Sequence, residues 1–174
     1  MILIQDAVAQ GDVRICILAE RPNEERKIHH DWRHAPVAAI RLNVEGDPHV
    51  ISMCHCQVCQ RRTGSTYSVH AYFSRSCVKI GGSPKAYSRT AESGRAIGFY
   101  FCPESGSTMF WEHPLDASQI GIPVGAFADP SFPLPEVSIF MPHKHPWVVA
   151  PNGVLTYGRV TAPGCLGPGR LHRH

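Results

Sequence analysis

The hydrophobic positions of the chain fall into short segments that have strand character. Helical periodicity is hard to find after residue 50, apart from one short helix predicted around CQVCQRRTG. Turn sequences such as GGSP and ESGS separate the segments at intervals of roughly ten to fifteen residues. The pattern predicts a mainly β fold: a single domain of short antiparallel strands with few short helices. The segments, rich in β-branched and aromatic residues, are HVISM, STYSVHAYF, CVKIG, AIGFYF, QIGIPVGAF and VSIFM.

The two ends of the chain lack this pattern. Residues 18–34, LAERPNEERKIHHDWRH, are charged and do not alternate, so we expect a loop, a short helix or a disordered lead there. Residues 163–174, PGCLGPGRLHRH, are rich in glycine, proline and basic residues, which predicts a frayed tail.

Charge and hydropathy exclude several function classes. The net charge of +3 comes from scattered basic residues and does not favour a nucleic-acid partner. No run of about 18 apolar residues is present, so we expect no membrane span. The N-terminal sequence lacks the pattern of a secretory signal, which predicts a cytoplasmic protein. In a reducing compartment, the seven cysteines are expected to bind metal more often than to form disulfides.

Three cysteines form a dense cluster in the sequence. Cys54, Cys56 and Cys59 follow the pattern C-x-C-x-x-C, which can bring three sulfurs to about 2.3 Å from one zinc ion. The alternative is three buried free thiols, since unpaired cysteine is often buried. His55 lies between two of them and is expected to point away from the metal, as a surface residue or a neighbour of the ligands.

A closed zinc site needs a fourth ligand, and the sequence offers no clear one. Cys102 in FCPESGS is the first candidate, but Ser105 stands where a zinc knuckle would have its second cysteine. Cys16, Cys77 and Cys165 are isolated, and we interpret them as core or incidental residues.

Several motifs together resemble one known family. They are C-H-C-x-x-C-x-R-x-T-G-S at residues 54–65, G-x-P-K-x-Y, S-G-R, F-C-P-x-x-G-S and a closing P-W. Residues 35–149 carry these motifs and resemble the glutathione-dependent formaldehyde-activating enzyme family, which also includes centromere protein V. An atypical lead, 1–34, and a C-terminal extension, 150–174, flank this predicted domain.

The resemblance implies a fold of coiled β-sheets with two zinc positions. One is a three-cysteine site near the thiol substrate, which corresponds here to Cys54, Cys56 and Cys59. The other is a structural four-cysteine site. Its expected cysteines are replaced by Ala35, Val37 and Ser105, so that only Cys102 remains. We therefore predict one zinc per chain, and a small apolar and hydrogen-bonded plug in place of the second site.

The resemblance also implies a reaction, the condensation of glutathione with formaldehyde to S-(hydroxymethyl)glutathione, classed as a carbon–sulfur lyase activity. Three thiolates leave a fourth zinc position open, where water, a buffer molecule or an exogenous thiol is expected to bind. Arg61 and Arg62, together with Arg95, either offset the negative charge of the cluster and attract the carboxylates of glutathione or are solvated surface charges.

For three other residues near the cluster, the sequence allows two interpretations. Thr63 and Ser65 either hydrogen-bond the substrate or cap the turn. His70 is either a satisfied core histidine or a general acid. The chain as a whole has an alternative function as a non-catalytic zinc module that binds a small thiol or a protein partner. The sequence assigns no oligomeric state.

Overall fold

The computed structural model describes residues 26–29, 40–91, 94, 96–112 and 116–159. These residues form one α-helix, α1 (Gln57–Thr63), three short 3-10 helices and eleven strands. The strands are β1 (Arg26–His29), β2 (Arg41–Val44), β3 (Val50–Cys54), β4 (Ser68–Ser74), β5 (Val78–Gly81), β6 (Lys85–Thr90), β7 (Ala96–Phe101), β8 (Thr108–Glu112), β9 (Gln119–Pro123), β10 (Val137–Ile139) and β11 (Leu155–Tyr157).

The strands build two sheets. One has the order β1-β2-β5, and the other has the order β11-β10-β3-β4-β9-β8-β7-β6. The mainly β prediction is confirmed, as is the short helix after the cysteine-rich strand. Pairing is antiparallel except at β10, which runs parallel to both β3 and β11. The expectation of purely antiparallel pairing was wrong for β10. A tight hairpin joins antiparallel strands, but β10 follows a long connection after β9, which allows it to run parallel to its neighbours.

The main core lies between the two sheets. Side chains alternate along each strand, so paired residues such as Ile51, Ala71 and Ile122 share one face of the large sheet. This face packs against Leu42 and Val44 of the small sheet, and all five side chains are almost fully buried. This apolar layer contains none of the three clustered cysteines, so the core does not depend on their chemistry.

The opposite face of the large sheet carries polar and aromatic side chains, and we call it the cysteine face. Its residues are linked by strand register, from Cys54 through its partner Ser68 on β4 to Phe99 on β7. The members used below are Cys54, Ser68, His70, Tyr72, Gly121, Trp111 and Phe99. An aromatic cluster that includes Tyr72, Phe99 and Trp111 covers its far part.

The sequence pattern missed five strands. β1 lies inside the charged segment 18–34, where we expected a loop or short helix, and it pairs with β2. β6 was missed because five of its six side chains are exposed, so neither face carries a hydrophobic row. β2, β8 and β11 were also not predicted. Ala35, Val37, Arg95, Cys16, Cys165 and the tail 163–174 lie outside the described residues. The described residues contain no helix long and apolar enough to cross a membrane.

Candidate metal centre

The end of β3 and the start of α1 bring the three clustered cysteines together. Cys54 is the last residue of β3 and lies on the cysteine face. Cys56 is the N-cap of α1, and its Sγ accepts a hydrogen bond from the backbone N–H of Cys59 at 3.4 Å. Cys59 lies in the first turn of the helix. The strand end therefore supplies one sulfur, the cap a second and the helix a third.

The three sulfurs fit the requirements of a zinc ion. All lie within 4.8 Å of one another. A tetrahedral ion with bonds of about 2.3 Å holds its sulfurs about 3.8 Å apart, so only a small contraction is needed. Thiols are the soft ligands that zinc accepts. Among the described residues, no other Cys, His, Asp or Glu joins this group.

Hydrogen bonds among the three thiols couple their pKa values. Hydrogen bonds from the thiols of Cys54 and Cys59 lower the pKa of Cys56, and the backbone N–H groups of Cys59 and Val58 add to this. The hydrogen bond to Cys56 raises the pKa of Cys54. For Cys59 the hydrogen bond with Cys54 lowers the pKa, but the bond to Cys56 and burial outweigh it and raise the pKa to about 11. Of the three thiols, Cys56 is therefore the one whose environment favours the thiolate.

Of the two predicted arginines in α1, Arg62 reaches the cysteine face. Its Nη2 donates to Ser68 Oγ at 2.9 Å and lies 3.3 Å from Nε2 of His70. Its guanidinium carbon lies 5.2 Å from the ring centroid of Phe99, in cation–π contact. Arg61 is exposed in the last turn of α1. The helix thus directs one arginine inward and the other to solvent.

Neither of the two roles considered for His70 describes its surroundings. The ring is 3% exposed and lies on the cysteine face, with Trp111 Nε1 donating to its Nδ1 at 3.1 Å. Burial, together with the positive charge of Arg62, lowers the pKa of His70 to about 3. A neutral ring is a poor general acid near pH 7. It is also not a satisfied core histidine, because its other nitrogen faces the donor Arg62.

His55 points to the opposite side of the strand from the cysteines, as predicted, but it is not a surface residue. Its side chain is 0% exposed, and Nε2 lies 3.0 Å from Ser138 Oγ. Burial lowers its pKa. The side chain of Gln60 links two backbone segments, because its Nε2 donates hydrogen bonds to the carbonyls of His55 and His143.

Thr63 caps the end of the helix. Its Oγ1 donates to the carbonyl of Cys59 at 2.9 Å and accepts from the backbone N–H of Ser65 at 3.2 Å. Gly64 then takes φ 66°, a left-handed conformation that glycine adopts without strain. These contacts favour the capping interpretation of the T-G-S sequence.

Cys102 lies apart from the cluster, in the main core. It is 4% exposed and belongs to the turn that ends at Ser107. The hydrogen bond from Ser105 lowers its pKa, and backbone N–H groups that include Ile40 contribute. Ser105 therefore acts as a hydrogen-bond partner. The loss of the second zinc site remains a prediction, because Ala35 and Val37 lie outside the described residues.

Sequence reasoning missed the aromatic part of the site, namely Tyr72, Trp111, Phe99 and the glycine beneath the indole, Gly121. The available signal was the alternation in STYSVHAYF, which places Ser68, His70 and Tyr72 on one face. Which other strands would lie beside that face depends on long-range pairing, which the local pattern does not contain.

The fold and the site define a mostly β protein with a cluster of three cysteines on one sheet face, arranged as the ligands of a metal ion would be. The chain belongs to the glutathione-dependent formaldehyde-activating enzyme family, whose family model matches residues 37–143, more than half of the chain. No curated protein matches the chain significantly. A crystal structure of a Rhodobacter sphaeroides protein is similar at 16% identity and a TM-score of 0.39, covering 50% of this chain and 78% of that one.

Proposed function

We propose that this protein is a zinc-dependent enzyme of the carbon–sulfur lyase type that acts on a glutathione conjugate. The reaction is the formation of S-(hydroxymethyl)glutathione from glutathione and formaldehyde, and its reversal. Family membership supports a function related to glutathione and formaldehyde in general. The finer assignment rests on the site.

The observation that carries the proposal is the convergence of three sulfurs beside a cationic side chain. Cys54, Cys56 and Cys59 would hold the zinc ion, with their sulfurs already within 4.8 Å of one another. When bound, zinc held by three thiolates supplies an open position at which an incoming thiol can bind as its reactive thiolate. The positive charge of Arg62 acts on the Cys59 sulfur and partly offsets the negative charge of the site.

The reaction needs no other reactant. The thiol of glutathione loses its proton, its sulfur forms a bond to the carbonyl carbon, and the π electron pair moves to the oxygen. That oxygen takes up one proton and becomes the hydroxyl of the adduct. In reverse, the carbon–sulfur bond breaks. Arg61, exposed on the same helical turn as Arg62, is proposed to attract a glutathione carboxylate.

The spontaneous reaction is the reference for the test. Carbon-13 exchange NMR on glutathione and labelled formaldehyde gives the rate at which free and adduct forms interconvert. We expect the zinc-loaded protein to raise this rate in proportion to its concentration, and Cys56→Ala to leave it at the spontaneous value. Cys77→Ala, a change at a cysteine outside the cluster, is the matched control.

A second measurement separates catalysis from binding. Thermal shift with glutathione is recorded for zinc-loaded and metal-stripped protein. Stabilisation that requires zinc, without any rise in the exchange rate, would leave a non-catalytic module that binds small thiols. Equal stabilisation of both forms would mean that glutathione does not use the metal, and the proposal would be wrong.

A further inference from the structure

Both ring nitrogens of His70 face hydrogen-bond donors. On one side Trp111 Nε1 lies 3.1 Å from Nδ1, and on the other side Arg62 Nη2 lies 3.3 Å from Nε2. Neither an indole nor a guanidinium nitrogen can accept a hydrogen bond. A neutral imidazole carries one proton, so one of these two contacts brings two N–H groups together.

The rigid partner decides which contact is the hydrogen bond. The indole of Trp111 is held edge-on against Tyr72 at 5.4 Å between centroids and lies over Gly121. Its N–H can only donate, and it is directed at Nδ1 of His70 at 3.1 Å. Nδ1 of His70 therefore accepts, and the proton resides on Nε2. Arg62 has a longer side chain and other partners, so it tolerates the remaining contact.

Two N–H donors are thus directed at one small region of the cysteine face. These are Nε2–H of His70 and Nη2–H of Arg62, and the second of them carries positive charge. Nε of Arg62 is also buried without a hydrogen-bond partner in the described part of the chain. Such a donor-rich arrangement is satisfied when an acceptor atom with negative or partial negative charge binds beside the two groups, within hydrogen-bond reach of both.

The register places this region next to the metal-binding sulfurs. Ser68 pairs with Cys54, and His70 follows two residues along the same face, so His70 and Cys54 are diagonal neighbours. Diagonal pairs lie about 7–8 Å apart at their Cα atoms, so a small group bound beside His70 is also close to the sulfur of Cys54. Because His70 is 3% exposed, a one-carbon substrate fits this depth better than the carboxylates of a tripeptide.

We propose that Arg62 and His70 together bind the oxygen of the one-carbon carbonyl substrate. This proposal rests on the proposed function and assigns a further pair of substrate-binding residues within it. As the thiolate adds to the carbonyl carbon, the π electron pair moves to this oxygen, and the two donors stabilise the charge that develops there. The proton released by the thiol balances the one that the oxygen takes up. Trp111 is a positioning residue, since it fixes the tautomer.

The first experiment does not depend on turnover. Long-range proton–nitrogen NMR distinguishes the two histidine tautomers, and we expect His70 in the zinc-loaded protein to be protonated on Nε2. Formate, a one-carbon probe with acceptor oxygens, is then titrated in, and it should shift the Nε2 resonance. A proton on Nδ1, or a His70 resonance that does not respond to formate, would overturn the proposal.

Substitutions at the two proposed donors test whether formate binds between them and the metal-binding cysteines. Arg62→Ala and His70→Phe should each weaken formate binding by about tenfold or more, because each removes one donor to an anion. Arg41→Ala, a change at an exposed arginine of the small sheet, is the control and should bind formate like wild type. Unchanged affinity in both test variants would mean that formate binds elsewhere, which contradicts the proposal.

Kinetics separate this proposal from the proposed function. If the wild type catalyses exchange, His70→Phe should lower the rate by roughly a hundredfold or more while the zinc-dependent glutathione shift remains. His70→Gln, which retains an N–H donor, should recover part of the rate. A full rate in His70→Phe would overturn the pair's role. If the wild type does not catalyse exchange, the proposed function is wrong. The tautomer and formate measurements do not depend on turnover, so they still test whether Arg62 and His70 bind a one-carbon oxygen.

Discussion

Gly121 lies directly beneath the indole ring of Trp111. A Cβ at this position would come within 2.5 Å of Cε2 and closer still to Nε1, a separation that real structures do not show. The backbone at Gly121 is ordinary strand, so the glycine is needed here for space and not for its conformational freedom. The absent side chain lets the indole lie flat and present its N–H to His70 at 3.1 Å.

Gly121→Ala should therefore displace Trp111 and weaken its hydrogen bond to His70. Overpacking of this kind typically costs about 1–3 kcal/mol in the free energy of unfolding. Urea denaturation measures the loss, and NMR of the indole N–H reports the altered hydrogen bond.

The matched control for this prediction is Gly125→Ala. A Cβ there would meet no atom within 4 Å, and the residue lies in a 3-10 helix. Replacing a glycine whose conformation suits alanine usually leaves a protein as stable or more stable by about 0.4–1 kcal/mol. Equal destabilisation of the two variants would contradict the steric role of Gly121.

The metal content of the protein is the second prediction. We expect one zinc per chain, because the intact cluster is Cys54, Cys56 and Cys59. Cys56→Ala should abolish this zinc while circular dichroism stays close to wild type, since the main core between the sheets contains none of the three sulfurs. Elemental analysis checks the first point. Two tightly held zinc ions, or an unfolded variant at room temperature, would each contradict the prediction.

The convergence of the three cysteines could be predicted from the sequence because its geometry is local. Cys54, Cys56 and Cys59 lie within six positions, so a strand end and one helical turn suffice to bring their sulfurs together. The same reasoning identified the strands with hydrophobic alternation. It could not identify β6, whose side chains are mostly exposed, because pairing with β7 rather than burial defines this strand.

The surroundings of His70 could not be predicted in the same way. Trp111 is 41 positions further along the chain, and the contact exists only because β9 lies between β4 and β8 in the sheet. Strand order is a global property, and no motif near either residue encodes it. His55 shows a related limit. Its position between two cysteines left a surface residue or a neighbour of the ligands as interpretations, and its contact with Ser138 places it in a buried site.

The third prediction concerns this buried pair. Ser138→Ala removes the hydroxyl that lies 3.0 Å from Nε2 of His55, both residues being fully buried. A buried polar nitrogen left without its partner costs about 1–3 kcal/mol of stability. Urea denaturation should show this loss, and Ser88→Ala, at an exposed serine of β6, should leave stability within about 0.5 kcal/mol of wild type. Equal stability of the two variants would mean that the pair contributes little.

The last prediction follows from the neutral state of His70. Burial lowers its pKa to about 3, whereas a histidine in the unfolded chain titrates near 6.5. Between these values the unfolded chain binds a proton that the folded protein does not. Stability associated with His70 is therefore fully present above about pH 6.5 and falls as the pH decreases toward 3.

His70→Gln removes this titration and leaves the other ionisable groups in place. Between pH 6 and pH 4, metal-stripped wild type should lose up to about 1.4 kcal/mol per pH unit more than the variant, because one proton distinguishes the two unfolding reactions. Urea denaturation at several pH values measures both slopes, and using metal-stripped protein removes the proton release that accompanies zinc binding. Parallel slopes would show that His70 is protonated in the folded protein over this pH range, as it is in the unfolded chain. A charged ring would carry protons on both nitrogens and could not accept the hydrogen bond from Trp111.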